Sequence, residues 1–238
     1  SLTAALCDRM GVHFGPEEEF SPPADRYNPT GYFQRSDVVG VNQMILDYMP
    51  DSLDRDIPLP PELPSEIAER LVGLDLGWLE GQGISGLKDP RFSLTLPAWL
   101  AAAPWGEQKI RVVRVHRNIE SAASSAARHH AVGKFCDYDF AQAKVLTERL
   151  DSAARQVCLN RSVAAHVVDF DRLIRRPYEE VQGLAGFLGG DRKAAARAAA
   201  LVGKKGSLAR HYGRKLLHPR RVWDTTRKTM RAYTRRGI

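Results

Sequence analysis

The sequence has only three cysteines and no long apolar run, and both shortages narrow the class of protein. Cys7, Cys136 and Cys158 are odd in number and far apart, and no group of cysteines, histidines or carboxylates shows a metal-ligand spacing. This usage favours reduced thiols in a cytoplasmic protein and predicts no bound metal. No apolar stretch approaches the roughly 20 residues of a membrane-spanning helix. The first residues also lack the basic and apolar segments of a secretion signal.

Basic charge is present but is confined to one part of the chain. The net charge is +7, yet residues 204–238 contain twelve of the 35 Lys and Arg residues and a single acidic residue, Asp224. Residues 1–203 hold 23 basic and 27 acidic residues, so we expect no nucleic-acid partner for this part. Residues 204–238 also show an amphipathic helical pattern. Such a helix either docks on its own domain, which we favour, or contacts an anionic membrane surface peripherally.

Alternating patterns in residues 1–203 predict a single α/β domain. β-branched apolar runs indicate buried strands over 110–115 and 164–170. Helical patterns lie after and between these strands, over 120–127, 140–159 and 178–188. Strand, helix and strand in alternation favour a central parallel sheet with helices on both faces. Ligands bind at the carboxyl ends of the strands in such sheets, so the residues that follow the strands are the candidates for a site.

The first part of the domain has the same kinds of pattern. A helix over 1–10 is expected to end at Gly11, followed by a short strand over 12–14 and a helix over 37–49. Ser65 is the predicted N-cap of a further helix. An α/β protein that opens on a helix has usually lost the strand before it, and we expect residues upstream of Ser1 to be absent from this sequence.

Arg117 and Ser125 are the clearest candidates for ligand binding. Arg117 follows the strand over 110–115, and Ser125 lies eight residues later on the next predicted helix. A guanidinium offers a planar fork of donors and a hydroxyl adds a neutral donor, so the two can hold one anion between them. An arginine that only caps the sheet, with serines that fit a tight helix face, is an equally good interpretation of these residues alone.

Four segments in order resemble the PAPS-dependent sulfotransferases of bacteria, where PAPS is 3′-phosphoadenosine 5′-phosphosulfate. Arg117-Asn118 with Ser125 is similar to the motif that holds the 3′-phosphate of this donor. The other three segments are Asn28-Pro29-Thr30-Gly31-Tyr32-Phe33, Lys88-Asp89-Pro90-Arg91 and Val168-Asp169-Phe170-Asp171-Arg172-Leu173. The resemblance runs from Ser1 to about Gly190. It implies a P-loop NTPase-like sulfotransferase fold and transfer of a sulfuryl group to a hydroxyl of a carbohydrate, lipid or small metabolite, with PAP (3′,5′-phosphoadenosine) as product and no metal.

The resemblance also assigns donor-binding residues. Ser1, Leu2 and Thr3 correspond to the end of the loop that binds the 5′-phosphosulfate, which implies that the first strand and most of that loop lie upstream of this sequence. Phe170 matches the position of an aromatic ring near the adenine, although a core position is equally compatible with its sequence context. Lys205 and Gly206 resemble the clamp over the 3′-phosphate, and a solvated basic loop is the alternative.

The catalytic residues are less well defined by the resemblance. Lys88 follows a short predicted strand, in the loop that faces the nucleotide, so we expect it to be a cation near the transferring group; an ordinary surface lysine is the alternative. Asp89 either holds the loop or serves as a base. Many bacterial members carry a glutamate where this chain has Gln34, so the base is left open. The candidates are Asp37, Asp89, His13 and the acidic run 17–19.

Two rival functions belong to other classes. A P-loop kinase-like phosphotransferase needs a Gly-Lys-Ser/Thr loop and a Mg²⁺-binding acid, and the sequence shows neither. A non-enzymatic nucleic-acid or membrane-surface binding protein would act through residues 204–238.

Overall fold

The structure is a computed structural model that describes residues 1–20, 22–24, 28, 30–48, 63–76, 79, 83–102, 110–128, 139–160 and 163–203. The predictions for Lys205, Gly206 and the basic segment 204–238 lie outside the described residues. Within the described part helices predominate and the strands pair in parallel, which confirms the α/β class.

The helices and strands alternate along the described residues. The α-helices are α1 (Leu2–Arg9), α2 (Ser36–Tyr48), α3 (Ser65–Val72), α4 (Phe92–Ala102), α5 (Ile119–Ala126), α6 (Phe140–Asn160), α7 (Phe170–Arg175), α8 (Pro177–Leu188) and α9 (Arg192–Gly203). The strands are β1 (Val12–His13), β2 (Ile84–Ser85), β3 (Arg111–His116) and β4 (Ala164–Asp169), and Glu17–Glu19 form a short 3-10 helix. The three helical patterns predicted around the two long strands are confirmed as α5, α6 and α8 to within one residue.

The strands form two parallel sheets of two strands each, where the sequence predicted one central sheet. β1 pairs with β2, with Val12 opposite Ile84. β3 pairs with β4 along its whole length, from Arg111 opposite Ala164 to His116 opposite Asp169. The described residues contain no backbone pairing that joins the two sheets.

The prediction that β3 and β4 are buried strands is wrong for much of their length. Val115 in β3 is 44% exposed and Val167 in β4 is 50% exposed. Among the described residues each strand has a backbone partner on one edge only. The apolar composition of β3 and β4 is typical of strands in the interior of a sheet. Among the described residues, however, each of the two strands lies at a sheet edge.

Helices lie on both faces of the β3–β4 sheet, as predicted. Val113 packs against the core formed by α1, α8 and α9, with Leu6, Leu184 and Ala198 near its centre. The next residue of β3, Arg114, points to the opposite face and reaches Asp151 of α6.

A second apolar cluster joins α2, α3 and α4. It contains Val38, Ile45, Ile67 and Trp99, all at most 6% exposed. Because α2 and α4 flank the loop that follows β2, this cluster fixes the position of that loop.

The start of α3 differs between the prediction and the structure, while α8 ends where it was predicted to end. Pro64 is the N-cap of α3, and its carbonyl accepts hydrogen bonds from Ile67 and Ala68, so Ser65 occupies the first helical position and not the cap. The proline ring fixes an extended approach to the helix, which leaves the cap one residue earlier than expected. Gly189 ends α8 with φ of 80°, a left-handed conformation that glycine adopts at low cost.

None of the helices in the described ranges has the length and apolar character needed to cross a membrane. The same ranges contain no group of three or more His, Cys, Asp or Glu side chains placed to hold a metal ion.

Candidate anion-binding site

A cleft of about 2340 Å³ opens between the two sheets. It is bordered by the start of α1, the loop after β2, the length of β3 and the apolar face of α6. The predicted site residues that line it are Ser1, Leu2, Thr3, Lys88, Asp89, Arg117, Ser125 and Phe170. The cleft therefore brings together residues from four segments that are far apart in the sequence. Asp37 is not among its lining residues.

Arg117 lies directly after β3, with its guanidinium over the ring of Phe170. The guanidinium carbon is 5.0 Å from the ring centroid, a cation–π arrangement. Phe170 is 8% exposed and belongs to the core cluster around Leu6, so its ring is a fixed support for the cation. This placement agrees with the core interpretation of Phe170, while contact with an adenine stays a prediction.

The backbone next to Arg117 is held by two short polar contacts. The Asn118 side chain caps α5 by accepting a hydrogen bond of 3.0 Å from the Ser121 amide. The Asn118 amide donates to Asp171 Oδ2 at 2.9 Å. Ser125 follows two turns along α5, is half-buried and lines the same cleft as Arg117. These contacts hold the backbone at Asn118, directly after Arg117 and at the start of α5.

A further cation lies in the loop after β2. Lys88 Nζ donates to Gln34 Oε1 at 3.2 Å. Burial lowers the pKa of Lys88 to about 8; Asp89 acts against this shift, and Arg91 adds to it. Lys88 is thus a half-buried cation with a neutral hydrogen-bond acceptor.

Asp89 holds the loop that carries Lys88. Its carboxylate accepts from the Arg91 amide at 2.8 Å and from Arg91 Nη1 at 3.2 and 3.3 Å. Its side chain has no exposed area. These contacts favour the first of the two roles predicted for Asp89, that of holding the loop, over that of a base.

The segment before α2 connects the start of α1 to Gln34. The Ser1 nitrogen donates to Asn28 Oδ1 at 2.7 Å and to the carbonyl of Gly31. Gly31 and Phe33 both have positive φ, 83° and 56°, and Phe33 is the non-glycine residue with this conformation among those described. Its ring packs between two other phenylalanines, which compensates the strain of this backbone. The turn directs Gln34 towards Lys88.

Two of the base candidates are engaged elsewhere. Asp37 accepts two hydrogen bonds from Arg35, at 3.2 and 2.7 Å, and one from the Val38 amide at 2.7 Å. Glu19 forms an ion pair with Arg35 at 2.5 Å. Both carboxylates serve to neutralise a buried arginine, so neither is placed as a ready proton acceptor in the cleft.

The sequence patterns missed one polar cluster on the α6 side of β3. Asp151 Oδ1 contacts Arg114 Nη2 at 3.3 Å and His116 Nδ1 at 3.2 Å. Arg114 and Asp151 line the cleft. The alternation of side chains along β3 could have predicted that Arg114 and His116 share one face of the sheet. It could not have predicted their partner Asp151 on α6, which lies 37 positions after Arg114 in the sequence.

The cations that line the cleft are Lys88, Arg91, Arg111, Arg114 and Arg117. Arg91 and Arg114 are ion-paired with Asp89 and Asp151, and Arg111 donates to the Phe187 carbonyl. Arg117 and Ser125 line the cleft at the end of β3 and along α5, Lys88 lines it after β2, and the first residues of α1 line it as well. The excess of cations suits an anionic ligand. No protein-family model, curated protein or solved structure matched the chain.

Proposed function

We propose that the chain is a sulfotransferase that moves a sulfuryl group from PAPS to an acceptor hydroxyl. The observation that carries the proposal is the shared cleft: Arg117 with Ser125, Lys88 and the start of α1 all line it. PAPS carries a 3′-phosphate and a 5′-phosphosulfate, and the cations that line the cleft outnumber its acidic residues, which suits such an anionic donor. The order of the four motifs along the sequence supports the same donor.

In this proposal the residues around the cleft have separate roles. Arg117 and Ser125 bind the 3′-phosphate through charged and neutral hydrogen bonds. Ser1, Leu2 and Thr3 bind the 5′-phosphosulfate through the amides at the start of α1. Phe170 supports Arg117 from below and lies beside the space for the adenine.

The chemical step is an in-line displacement at sulfur. The acceptor oxygen forms a bond to sulfur while the bond from sulfur to the bridging phosphate oxygen breaks, and PAP leaves with that electron pair. Negative charge grows on the bridging oxygen, where the Lys88 ammonium lowers the barrier. The proton of the acceptor hydroxyl passes to a base. The base is left open, because His13, Asp37 and the acidic run 17–19 are not among the residues that line the cleft.

The two-sheet arrangement supports the finer fold assignment as a P-loop NTPase-like sulfotransferase. β2 and β3 border the same cleft, and the described residues offer neither strand a second backbone partner. A single parallel sheet of the predicted kind would have β2 and β3 joined across this cleft, and ligands bind at the carboxyl ends of the strands in such sheets.

The acceptor is a hydroxyl-bearing carbohydrate, lipid or small metabolite in this proposal, and any peripheral membrane contact belongs to residues 204–238. A thermal-shift titration tests the donor. PAP without metal is expected to raise the unfolding midpoint, while ATP with Mg²⁺ is not. Stabilisation by ATP with Mg²⁺ alone would instead support the phosphotransferase.

A further inference from the structure

Two helices run side by side away from Lys88. α2 and α4 begin within a few residues of Gln34 and Lys88, whose side chains are in contact at 3.2 Å. Further along, Asn42 Oδ1 of α2 accepts hydrogen bonds of 2.7 Å from Thr95 Oγ1 and Trp99 Nε1 of α4. Because the helices are in contact both at their starts and further along, they run in the same direction.

One side of this helix pair lines the cleft with apolar side chains. The half-buried Val39 and Leu46 of α2 and the half-buried Phe92 and Leu96 of α4 line it, and we call these four side chains the apolar wall. Their spacings of seven and four residues place each pair on one face of its helix. Phe92 and Leu96 also pack on the cluster of α2, α3 and α4, which holds them in position. From Val39 to Leu46 the wall extends about 10 Å along α2.

The polar groups beside the apolar wall limit what it can bind. Gln43 Nε2 donates to Asp47 Oδ1 at 2.8 Å in an exposed pair near the end of α2, and both residues line the cleft. The negative charge of Asp47 disfavours an anionic molecule at this end. A sugar is disfavoured along the wall, because each of its hydroxyls would lose its hydrogen bonds to water against aliphatic side chains. The wall therefore suits an uncharged apolar molecule.

We propose that the apolar wall is the acceptor subsite and that it takes a hydroxyl carried by an uncharged apolar body, either an aromatic ring system or an acyl chain. The apolar body lies along the wall, and the hydroxyl lies at the Lys88 end, where the sulfuryl group is transferred. Burial of apolar area supplies the affinity, so the wall acts on binding of the acceptor and not on the chemical step. The inference rests on the proposed function only where it identifies the bound alcohol as the acceptor.

A first experiment measures the binding of alcohols without any donor. The probes are 2-naphthol and 1-octanol, with methyl β-D-glucopyranoside as the polar alcohol. NMR titrations follow the ¹³C-labelled methyl groups of valine and leucine, and signals are assigned by their loss in single variants. Saturable shifts are expected at Val39, Leu46 and Leu96 with the apolar alcohols and not with the glucoside.

Variants of the apolar wall show whether binding occurs there. Leu46→Gln and Leu96→Gln are each expected to weaken binding of the apolar alcohols by about tenfold, because an amide replaces an apolar contact. Val72→Gln makes the same kind of change on α3, where Val72 is 64% exposed and does not line the cleft, and should leave the affinity unchanged. Val39→Thr changes the volume little and is expected to weaken binding by about threefold. It serves as a further variant if a glutamine variant does not fold.

A second experiment measures transfer from PAPS to the same three alcohols. Mass spectrometry follows PAP together with the sulfate ester of each alcohol. We expect kcat/KM to be higher by about tenfold or more for an apolar alcohol than for the glucoside, and the better of the two apolar alcohols distinguishes a ring system from an acyl chain. Leu46→Gln is expected to raise KM for that alcohol by about tenfold and to leave kcat within about twofold.

The outcomes separate this inference from the proposed function. If no alcohol is sulfated, the proposed function fails, and the NMR titrations still decide whether the wall binds apolar alcohols. Binding of the glucoside as tight as that of the apolar alcohols, or apolar binding that neither glutamine variant weakens, overturns the inference. A kcat/KM for the glucoside that equals or exceeds that for the apolar alcohols also overturns it and leaves the proposed function in place.

Discussion

Arg117 and Lys88, the two cations to which the proposed function gives a role, are held in the cleft by different kinds of contact. Arg117 lies over the buried ring of Phe170 and next to the capped start of α5, so apolar packing and backbone contacts hold it. Lys88 is held by one neutral hydrogen bond and by a loop that Asp89 and Arg91 brace. A guanidinium stays charged at every pH that a protein tolerates, whereas a buried ammonium readily loses its proton. In the proposed function, Arg117 therefore supplies a constant positive charge and Lys88 a charge that varies with pH.

The largest expected effect comes from removing Arg117. Arg117→Ala should weaken PAP binding by about 2–4 kcal/mol, because a charged hydrogen-bonded pair is lost. Calorimetry at pH 7.5 measures this, with Arg197→Ala on the exposed side of α9 as the control for loss of one positive charge. If Arg117→Ala weakens PAP binding by less than about 0.5 kcal/mol, Arg117 is not part of the binding site, and the comparison with Lys88 fails.

The next effect concerns the cluster that positions the loop with Lys88. Asn42 is fully buried in α2, and its Oδ1 accepts hydrogen bonds of 2.7 Å from Thr95 Oγ1 and Trp99 Nε1 of α4. Asn42→Ala leaves the indole donor buried and unpaired, so the free energy of unfolding should fall by about 2–3 kcal/mol.

Chemical denaturation measures this change, and Gln142→Ala on the surface of α6 should stay within about 0.5 kcal/mol of the wild-type protein. PAP binding by folded Asn42→Ala is expected to retain the contribution of Arg117. A variant as stable as the wild-type protein would show that the α2–α4 contact does not support the loop.

The third effect tests the pH dependence that Lys88 should have and Arg117 should not. The pKa of Lys88 in the folded protein is lowered to about 8, from an ordinary value of 10.5. Between these values the unfolded chain binds more protons than the folded one, so a rise in pH through this window stabilises the fold. Relative to Lys88→Met, the wild-type protein should gain roughly 1–3 kcal/mol between pH 7.5 and pH 10.5, less than full burial would give because Lys88 is partly solvated.

Urea denaturation of both proteins at the two pH values measures that difference. Lys193→Met on the exposed side of α9 is the matched control and should follow the wild-type protein. A difference between the wild-type protein and Lys88→Met that does not vary with pH would place Lys88 in ordinary solvent contact and remove the contrast with Arg117.

Local sequence patterns were enough to predict the positions of Arg117 and Ser125, but not the hydrogen-bond partner of Lys88. Arg117 and Ser125 are separated by one strand end and two helical turns, so their joint position follows from a strand pattern and a helix pattern in the same short segment. The hydrogen-bond partner of Lys88 is Gln34, which follows a turn with positive φ at Phe33. The composition of that segment does not predict a positive φ at a phenylalanine.

The sequence also predicted the positions of β3 and β4 along the chain correctly, but not how deeply their side chains are buried. The composition of β3 and β4 reflects a preference for extended backbone and for apolar contact. It does not say whether both edges find a partner. Val115 and Val167 are exposed, and among the described residues β3 and β4 each have a partner on one edge only. Burial of an edge is a property of the whole sheet, which no single strand encodes.

The smallest expected effect distinguishes the two interpretations of Phe170. Phe170→Leu keeps an apolar side chain in the core but removes the ring beneath Arg117. If the ring only supports Arg117, PAP binding should weaken by about 0.5–1 kcal/mol, the contribution of an exposed cation–π pair. If the ring also stacks on the adenine, PAP binding should lose a further 1–3 kcal/mol or so. Inorganic pyrophosphate, which has no base, should then show only the smaller loss, and an equal loss for both ligands would assign Phe170 to the support of Arg117 alone.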